Sequence, residues 1–335
     1  MVKAGRPLSL PGVGRLRASD VVGAVAWVAA GLCLAWALMR TFGLERGFPL
    51  QAVVAWTPFV VPAAVLACIV AAVLRRWGAL ALAAAATVLL LIAVLPRAFG
   101  GGHGPPGADG PELRVLSANL KLGLADPEAV VGLVADHEID VLSVQELTPA
   151  ALAGLEDAGL QDLLPHSAGD PRESSQGGAI LSRFPLRDLG AIEPAGYPFA
   201  MPRAAVRVPG AQPVEVVAVH PVPPTGSQAV EDWEAGLEAL PASAAPGPLT
   251  LLIGDFNATL DHREFREVVD RGYVDAADAT GGGLRPTWPE RLIRPGVTID
   301  HVLADERAAI AAYDVHELPG SDHRAVSAVL RLPGA

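Results

Sequence analysis

The stretch LTLLIGDFN, at residues 249–257, places two chemically useful side chains at the end of an apolar run. Asp255 and Asn257 follow the run directly and lie two positions apart. Short apolar runs of this kind predict buried β-strands, and many active sites are built at the carboxyl ends of strands. A carboxylate and a carboxamide delivered together at such an edge could bind a cation or a phosphate.

Polar side chains of the same types stand at or beside the ends of most predicted strands. Carboxylates and carboxamides without cysteines favour a hard cation, Mg²⁺ or Mn²⁺, which keeps several water ligands free for a substrate. The histidines lack the H-E-x-x-H spacing typical of a zinc site. The candidate site residues are Asn119, Glu146, His220, Asp255, Asn257, Asp300, Asp322 and His323.

Alternating β-runs and helical patterns must position these residues. Many strands and few helices favour two packed sheets with outer helices over a doubly wound parallel sheet. Strands are predicted at residues 112–120, 140–147, 177–184, 203–208, 214–220, 249–256, 298–304 and 325–332. Helices are predicted at residues 127–137, 149–158, 228–240 and 262–271, with Asp261 as the N-cap of the last one.

The first hundred residues are far more apolar than the rest. Residues 21–39, 47–74 and 77–96 contain no charged side chain, and each is long enough to cross a bilayer. Three transmembrane helices are the simplest interpretation, although buried core helices, or a signal peptide for the first segment, are alternatives. The predicted organisation is an N-terminal segment (1–19), a membrane region (20–96), a Gly/Pro-rich linker (97–111) and a globular domain (112–335).

Basic residues predict how the chain lies in the membrane. Cytoplasmic connections are enriched in lysine and arginine. Arg40 and Arg46, in the first connection, argue weakly for the opposite orientation. The basic residues of the N-terminal segment and the second connection outnumber them, namely Lys3, Arg6, Arg15, Arg17, Arg75 and Arg76. We therefore expect a multi-pass cell-membrane protein whose globular domain lies outside the cytoplasm.

The globular domain is strongly acidic. From residue 104 onward, the sequence contains 34 Asp and Glu and 16 Lys and Arg, which gives a net charge of −18. A polyanion would be repelled at long range, which argues against a tightly held nucleic acid, although a cation-filled site could still bind phosphate.

An ordered set of motifs resembles the endonuclease/exonuclease/phosphatase superfamily, which has the DNase I-like fold. The resemblance covers residues 113–332 through SANLKLG, DVLSVQEL, GGAILSRFPL, VAVHPVPP, LLIGDFNAT, PTWP, TIDHVLA and GSDHRAV. It implies an α/β (α+β) fold: a four-layer sandwich of two packed mixed β-sheets flanked by helices, here preceded by three transmembrane helices. It also implies metal-assisted attack of water on phosphorus.

The resemblance assigns the metal site. Glu146 matches the principal metal carboxylate of the family, and Asn119 and Asp322 complete or support that site. Lys121 stands where many relatives carry a second Asn or Asp, so whether one or two metals bind stays open.

The resemblance also assigns catalytic roles. Asp255 matches the residue that orients and deprotonates the attacking water, and Asn257 matches its partner in holding nucleophile and phosphate. His323 matches the histidine that stabilises developing charge, and Asp300 the carboxylate that sets its tautomer. His220 matches a second phosphate-contacting histidine.

Together these features predict a membrane-tethered, Mg²⁺- or Mn²⁺-dependent phosphodiesterase. The substrate stays undetermined among a nucleic acid, a phospholipid headgroup and a small molecule. The bilayer is the one other partner implied, and the sequence indicates no protein partner. An inactive membrane-anchored module that binds a phosphorylated ligand is the alternative.

Overall fold

Three long apolar helices and one short one precede two six-stranded β-sheets in the computed structural model, which describes residues 18–101, 109–194, 199–243, 246–290 and 295–334. The helices are α1 (Ala18–Phe42), α2 (Leu50–Val54), α3 (Thr57–Val73), α4 (Trp77–Val94), α5 (Pro127–Asp136), α6 (Pro149–Asp157), α7 (Leu160–Leu163), α8 (Ser227–Glu238), α9 (Arg263–Val269) and α10 (Ala276–Ala279). A 3₁₀-helix, Leu95–Ala98, follows α4.

The strands form two mixed sheets. They are β1 (Glu112–Asn119), β2 (Val141–Gln145), β3 (His166–Asp170), β4 (Gly178–Ser182), β5 (Leu186–Ile192), β6 (Met201–Val206), β7 (Val214–Val219), β8 (Leu249–Asp255), β9 (Tyr273–Asp275), β10 (Asp300–Asp305), β11 (Ala309–His316) and β12 (Ala325–Arg331). The first sheet has the order β11-β12-β1-β2-β4-β3, and the second β5-β6-β7-β8-β10-β9. Each contains one parallel pair, β1 with β2 and β7 with β8, and is otherwise antiparallel.

The two sheets pack face to face around one apolar core. Val115 and Val141 of the first sheet belong to the same buried cluster as Val216, Leu251 and Ile253 of the second. Every residue of β2 and of β8 is buried, because a helix layer covers the outer face of each central strand. This double burial explains why the central strands appear in the sequence as nearly continuous apolar runs.

Helices cover both outer faces, which gives the predicted four layers. Helices α5, α6 and α7 pack on the first sheet, and α8 and α9 on the second. The local sequence begins two of them. Asp126 accepts the N–H of Glu128 ahead of α5, and Thr148 accepts the N–H of Ala151 ahead of α6, each with proline at the first helical position. The prediction of two mixed sheets with flanking helices is therefore confirmed.

The prediction of three membrane spans is corrected to two candidates. Asp20–Phe42 and Trp77–Ala98 are long and apolar enough to cross a membrane, whereas Thr57–Val73 has only 17 residues. The predicted span at residues 47–74 breaks into α2 and α3. The reason is tertiary, since the α2 segment packs on the globular domain: His262 Nε2 lies 2.9 Å from the backbone oxygen of Gln51.

A buried ion-pair cluster joins the helices to the domain, and it corrects the role predicted for Asp261. The N-cap position of α9 is His262, whose side chain makes no cap bond. Asp261 is instead fully buried and accepts from Arg97 at 2.6 and 2.9 Å and from Arg40 Nε at 3.1 Å. A lone buried carboxylate would be costly, and two guanidinium groups compensate it here.

The predicted linker starts on the surface of the domain. The backbone oxygen of Arg97 accepts the N–H of Gly283, and the N–H of Gly101 donates to Ala279. Residues 102–108 of this linker, like residues 1–17 of the predicted N-terminal segment, lie outside the described residues.

Candidate active site

All eight predicted site residues meet at one edge of the sandwich. The parallel strands of each sheet end there, and the antiparallel neighbours β10 and β12 begin there. Six of these residues line a single cavity, namely Glu146, His220, Asp255, Asn257, Asp322 and His323. The other two, Asn119 and Asp300, are fully buried and contact members of this set.

Asn119 connects the two sheets at this edge. Its Nδ2 donates to Asp255 Oδ2 at 3.1 Å and to Glu146 Oε1 at 3.3 Å. Its Oδ1 accepts the backbone N–H of Lys121 at 2.9 Å. Since Asn119 and Glu146 belong to the first sheet and Asp255 to the second, one carboxamide holds carboxylates from both sheets together.

The backbone around Glu146 is held in an uncommon conformation. Glu146 has a φ of +55°, and Lys121 and Leu122 have φ of +48° and +55°. Such values are uncommon outside glycine and cluster at functional sites. The N–H of Leu122 donates to Glu146 Oε2 at 2.7 Å. The strained turn and this bond together fix a carboxylate that still faces the cavity.

His323 and Asp300 form a buried charged pair. Nδ1 of His323 lies 3.0 and 3.2 Å from the two carboxylate oxygens of Asp300. Burial by itself would lower the pKa of this imidazole, but Asp300 and then Asp255 outweigh it and raise the pKa to about 9. His323 is therefore an imidazolium at neutral pH, and its Nε2 points to Asp255 Oδ2 at 3.7 Å.

The pKa of Asp255 lies close to neutral pH. Burial raises its pKa to about 7, and the charge on Asp300 adds to this effect, whereas His323 opposes it. The N–H of Asn257 donates to Asp255 Oδ1 at 2.8 Å, from a backbone with a φ of +48°. A carboxylate with such a pKa can accept a proton near neutral pH, as a general base must.

His220 is neutral, in contrast to His323. Its burial and the nearby positive His323 lower its pKa to about 3. Its Nε2 lies 3.8 Å from Asp255 Oδ2 and 3.9 Å from Glu146 Oε1, so these contacts are not ion pairs at neutral pH. The site therefore contains one charged and one neutral imidazole, which can play different roles.

Asp322 stands at the mouth of the cavity. Trp288 Nε1 donates to its Oδ2 at 3.3 Å, and Lys121 Nζ lies 3.9 Å from its Oδ1. Its side chain is 40% exposed, unlike that of Asp255. The lysine that departs from the family pattern is thus the charge partner of Asp322.

The cavity measures about 510 Å³, and part of its wall comes from outside the globular domain. Ala52, Ala55 and Trp56, from α2 and the turn after it, line it together with six of the predicted site residues. His262 lines it as well, although its sequence position suggested a surface or structural residue. The sequence could not indicate these contributions, because residues 52–56 look like part of an apolar span.

The residues present fit a divalent cation beside Glu146. Ligand atoms of Asp255, Asp300 and His323 lie within 4.8 Å of one another. Both ring nitrogens of His323, however, face carboxylates, Nδ1 that of Asp300 and Nε2 that of Asp255. Glu146 offers a carboxylate that faces the cavity, an oxygen ligand of the type that Mg²⁺ prefers, and the Nδ2 of Asn119 holds that carboxylate in place.

Comparisons with known proteins identify the family of the chain. The sequence model of the Endonuclease/Exonuclease/phosphatase family matches residues 116–323, a range that includes all eight site residues. No curated protein matches the chain.

Solved structures share the fold. A crystal structure of an endonuclease/exonuclease/phosphatase from Beutenbergia cavernae DSM 12333 has 21% identity and a TM-score of 0.51, and the match covers 67% of this chain and 72% of that one. D. rerio TDP2, humanized by 14 mutations, has 17% identity and a TM-score of 0.52, over 65% and 98% of the two chains. Truncated Caenorhabditis elegans TDP2 has 20% identity and a TM-score of 0.51, over 66% and 98%.

Proposed function

This chain belongs to the endonuclease/exonuclease/phosphatase family, whose enzymes hydrolyse phosphoester bonds, and from that membership we propose that it is a membrane-tethered phosphodiesterase that uses Mg²⁺ or Mn²⁺. The observation that carries the proposal is the contact of Asp255 with both Asn119 and His323. Asp255 as general base, His323 as hydrogen-bond donor and Glu146, which could hold a cation, line the same cavity, and phosphoryl transfer needs these groups together.

Asp255 accepts the proton of the attacking water in this proposal. Its raised pKa makes it a competent base near pH 7, and the N–H of Asn257 holds one of its oxygens in place. The side-chain Nδ2 of Asn257 donates to the backbone oxygen of Pro221 at 2.9 Å, which orients this residue beside the base.

His323 and His220 contact the phosphate group. The imidazolium of His323 neutralises negative charge that grows on the phosphate oxygens, and Asp300 keeps it protonated. The neutral imidazole of His220 contributes a hydrogen bond without adding charge.

Glu146 holds the cation, with Asn119 and Asp322 in support. A divalent cation there would neutralise phosphate oxygens and help to ionise water. Lys121 neutralises part of the charge on Asp322, which favours one cation over two.

The packing of the N-terminal helices supports a membrane location. Their contacts bury small residues, including Ala30, Ala37, Ala64, Ala71, Ala79, Ala83 and Ala86. Their large apolar side chains point outward, and Leu32, Leu66, Ile69, Val73 and Ile92 are each more than half exposed. A bundle in water would bury the large side chains, whereas small residues at helix contacts are typical of membrane helices.

The same packing supports the proposed orientation. Helix α3 begins directly after Trp56, at the domain, and ends at Val73, three residues before Arg76, whose side chain lies against Gly23 of α1. Its 17 residues extend roughly 25 Å along the two longer helices, so the basic end of the bundle with Arg76 lies opposite the domain. At the domain end, Arg40 and Arg97 pair with Asp261, so these arginines do not oppose a non-cytoplasmic location of the domain.

Hydrolysis of bis-p-nitrophenyl phosphate by the whole chain in detergent tests the function. We expect activity that requires Mg²⁺ or Mn²⁺ and that falls about 100-fold or more in Asp255→Asn, as for loss of a general base. Asp270→Asn, at an exposed position outside the cavity, is the matched control. A folded protein without activity on this diester would support the binding module instead.

A further inference from the structure

The apolar wall of the catalytic cavity comes partly from the membrane-helix region, and we propose that the substrate is a lipid phosphodiester taken from the bilayer surface. This inference rests on the proposed phosphodiesterase function and names its substrate class. In the reaction the water oxygen bonds to phosphorus, one ester P–O bond breaks, and the leaving alcohol takes up a proton.

The cavity has two chemically different sides. One carries the catalytic groups around Asp255. The other is apolar, where Trp56 and Ala55 pack with Trp288, Val297 and Ile299 of the domain. A ligand that fills this cavity must therefore offer a phosphate on one side and hydrocarbon on the other. A lipid phosphodiester has this division beside its phosphate.

The apolar wall is anchored to the domain by specific bonds. Trp56 Nε1 donates to the backbone oxygen of Pro295 at 3.0 Å, and the ring of His262 holds the backbone of Gln51. Glu45 accepts the N–H of Arg263 at 2.9 Å ahead of this segment. Residues 45–56 are thus fixed against the domain at three points, and Ala52, Ala55 and Trp56 of this segment line the cavity.

The position of the wall places the cavity beside the bilayer. Trp56 directly precedes α3, and the following helical residue is Thr57. Tryptophan at the end of a membrane helix marks the level of the lipid headgroups. Arg97, in the 3₁₀-helix after α4, pairs with Asp261 of the domain. This pair holds the site close to the level of the lipid headgroups.

The charge of the domain disfavours a nucleic acid in this cavity. Its net charge of −18 repels a strand with many phosphates, whereas a lipid brings one phosphate. Leu122, which lines the cavity and is 52% exposed, adds another apolar surface near the metal residues. The structure thus supplies an apolar surface for lipid from α2 and the turn after it.

The test compares three substrates with the whole chain in detergent or lipid nanodiscs. They are mixed vesicles of phosphatidylcholine and phosphatidylglycerol, the water-soluble diester bis-p-nitrophenyl phosphate, and single-stranded DNA. The variants are Trp56→Ala and Ala52→Glu, which alter the apolar wall, and Trp77→Ala, a control at the opposite end of the bundle. Ala52→Glu adds charge without removing a packed side chain, in case Trp56→Ala does not fold.

We expect the ratio of vesicle to soluble-diester hydrolysis to fall about tenfold or more in both wall variants, as for a lost apolar contact, and to stay unchanged in Trp77→Ala. Wild-type activity on the soluble diester without activity on vesicles would overturn the inference but keep the proposed function. Preferred cleavage of DNA, reduced equally by the wall variants, would overturn it in favour of nucleic acid. Inactivity on all three substrates would overturn the proposed function itself.

Discussion

Arg97 donates from both terminal nitrogens of its guanidinium group to the two carboxylate oxygens of Asp261, 164 positions further along the chain. Asp261 also accepts from Arg40. The ends of two apolar helices are thereby joined to one buried carboxylate of the globular domain. Since the neighbouring α2 segment forms a wall of the cavity, this cluster connects the helix bundle to the active site.

Removing the charge of Asp261 should destabilise the whole protein. Asp261→Asn leaves two arginines without their counter-charge, and breaking a buried pair costs about 3 kcal/mol or more. We expect the melting temperature, followed by tryptophan fluorescence in detergent, to fall by at least about 6 °C. Asp270→Asn, at an exposed position, should leave it unchanged. An unchanged melting temperature in Asp261→Asn would show that this cluster does not hold the two parts together.

The rate of hydrolysis should depend on pH as a bell-shaped curve. Asp255 must be deprotonated, so kcat/KM should rise as the pH increases through about 7. His323 must be protonated, so kcat/KM should fall as the pH increases through about 9. Nε2 of His323 lies 3.7 Å from Asp255, so the two groups titrate together. The acidic and alkaline limbs of the curve therefore describe the coupled pair and not either residue alone. A flat profile from pH 6 to 10 would contradict both assignments.

Replacing Asp300 should move the alkaline limb of that curve. Asp300→Asn removes the charge that outweighs burial at His323, so the pKa of the imidazolium should fall. We expect the limb near pH 9 to shift to lower pH by about one unit or more. Asp300→Glu, which keeps the charge, should restore it in part. A merely structural role for Asp300 would lower activity without shifting the limb.

Glu146 should control the affinity for the cation. Glu146→Gln removes the charge that attracts it, and we expect the apparent affinity for Mg²⁺ to fall at least about tenfold. The rise in melting temperature upon addition of Mg²⁺ measures this without reference to activity. Glu173→Gln, at an exposed position, is the control. An equal Mg²⁺-induced rise in Glu146→Gln and wild type would place the cation elsewhere.

The sequence predicted the inner strands of the two sheets but not the edge strands. Runs in the sequence indicated all eight inner strands of the two sheets, for example β2 and β8, which are buried at every position. The four strands that the sequence did not indicate, β3, β5, β9 and β11, are the four edges. Most of β5 is exposed or half-buried, and its sequence contains Asp188 and Gly190, so it lacks a clear apolar pattern.

The α2 segment shows a different limit of sequence analysis. Residues 47–74 contain no charge and were predicted as one span, but Ala55 packs against Val297 and Ile299 of the catalytic domain. Hydropathy shows only that a segment is apolar. It does not distinguish lipid from an apolar cavity wall as the reason.

The amino-acid sequence by itself determined the inner strands, the polar residues at their ends and the order of motifs that matches the family, because each depends on neighbouring residues along the chain. Only the tertiary structure decided that Asn119 bridges Asp255 and Glu146, that Asp261 pairs with arginines and that Trp56 lines the cavity. These contacts join residues from separate elements, and most of them connect positions more than 100 residues apart in the sequence. Their partners are selected by how the sheets and helices pack, which local patterns do not encode.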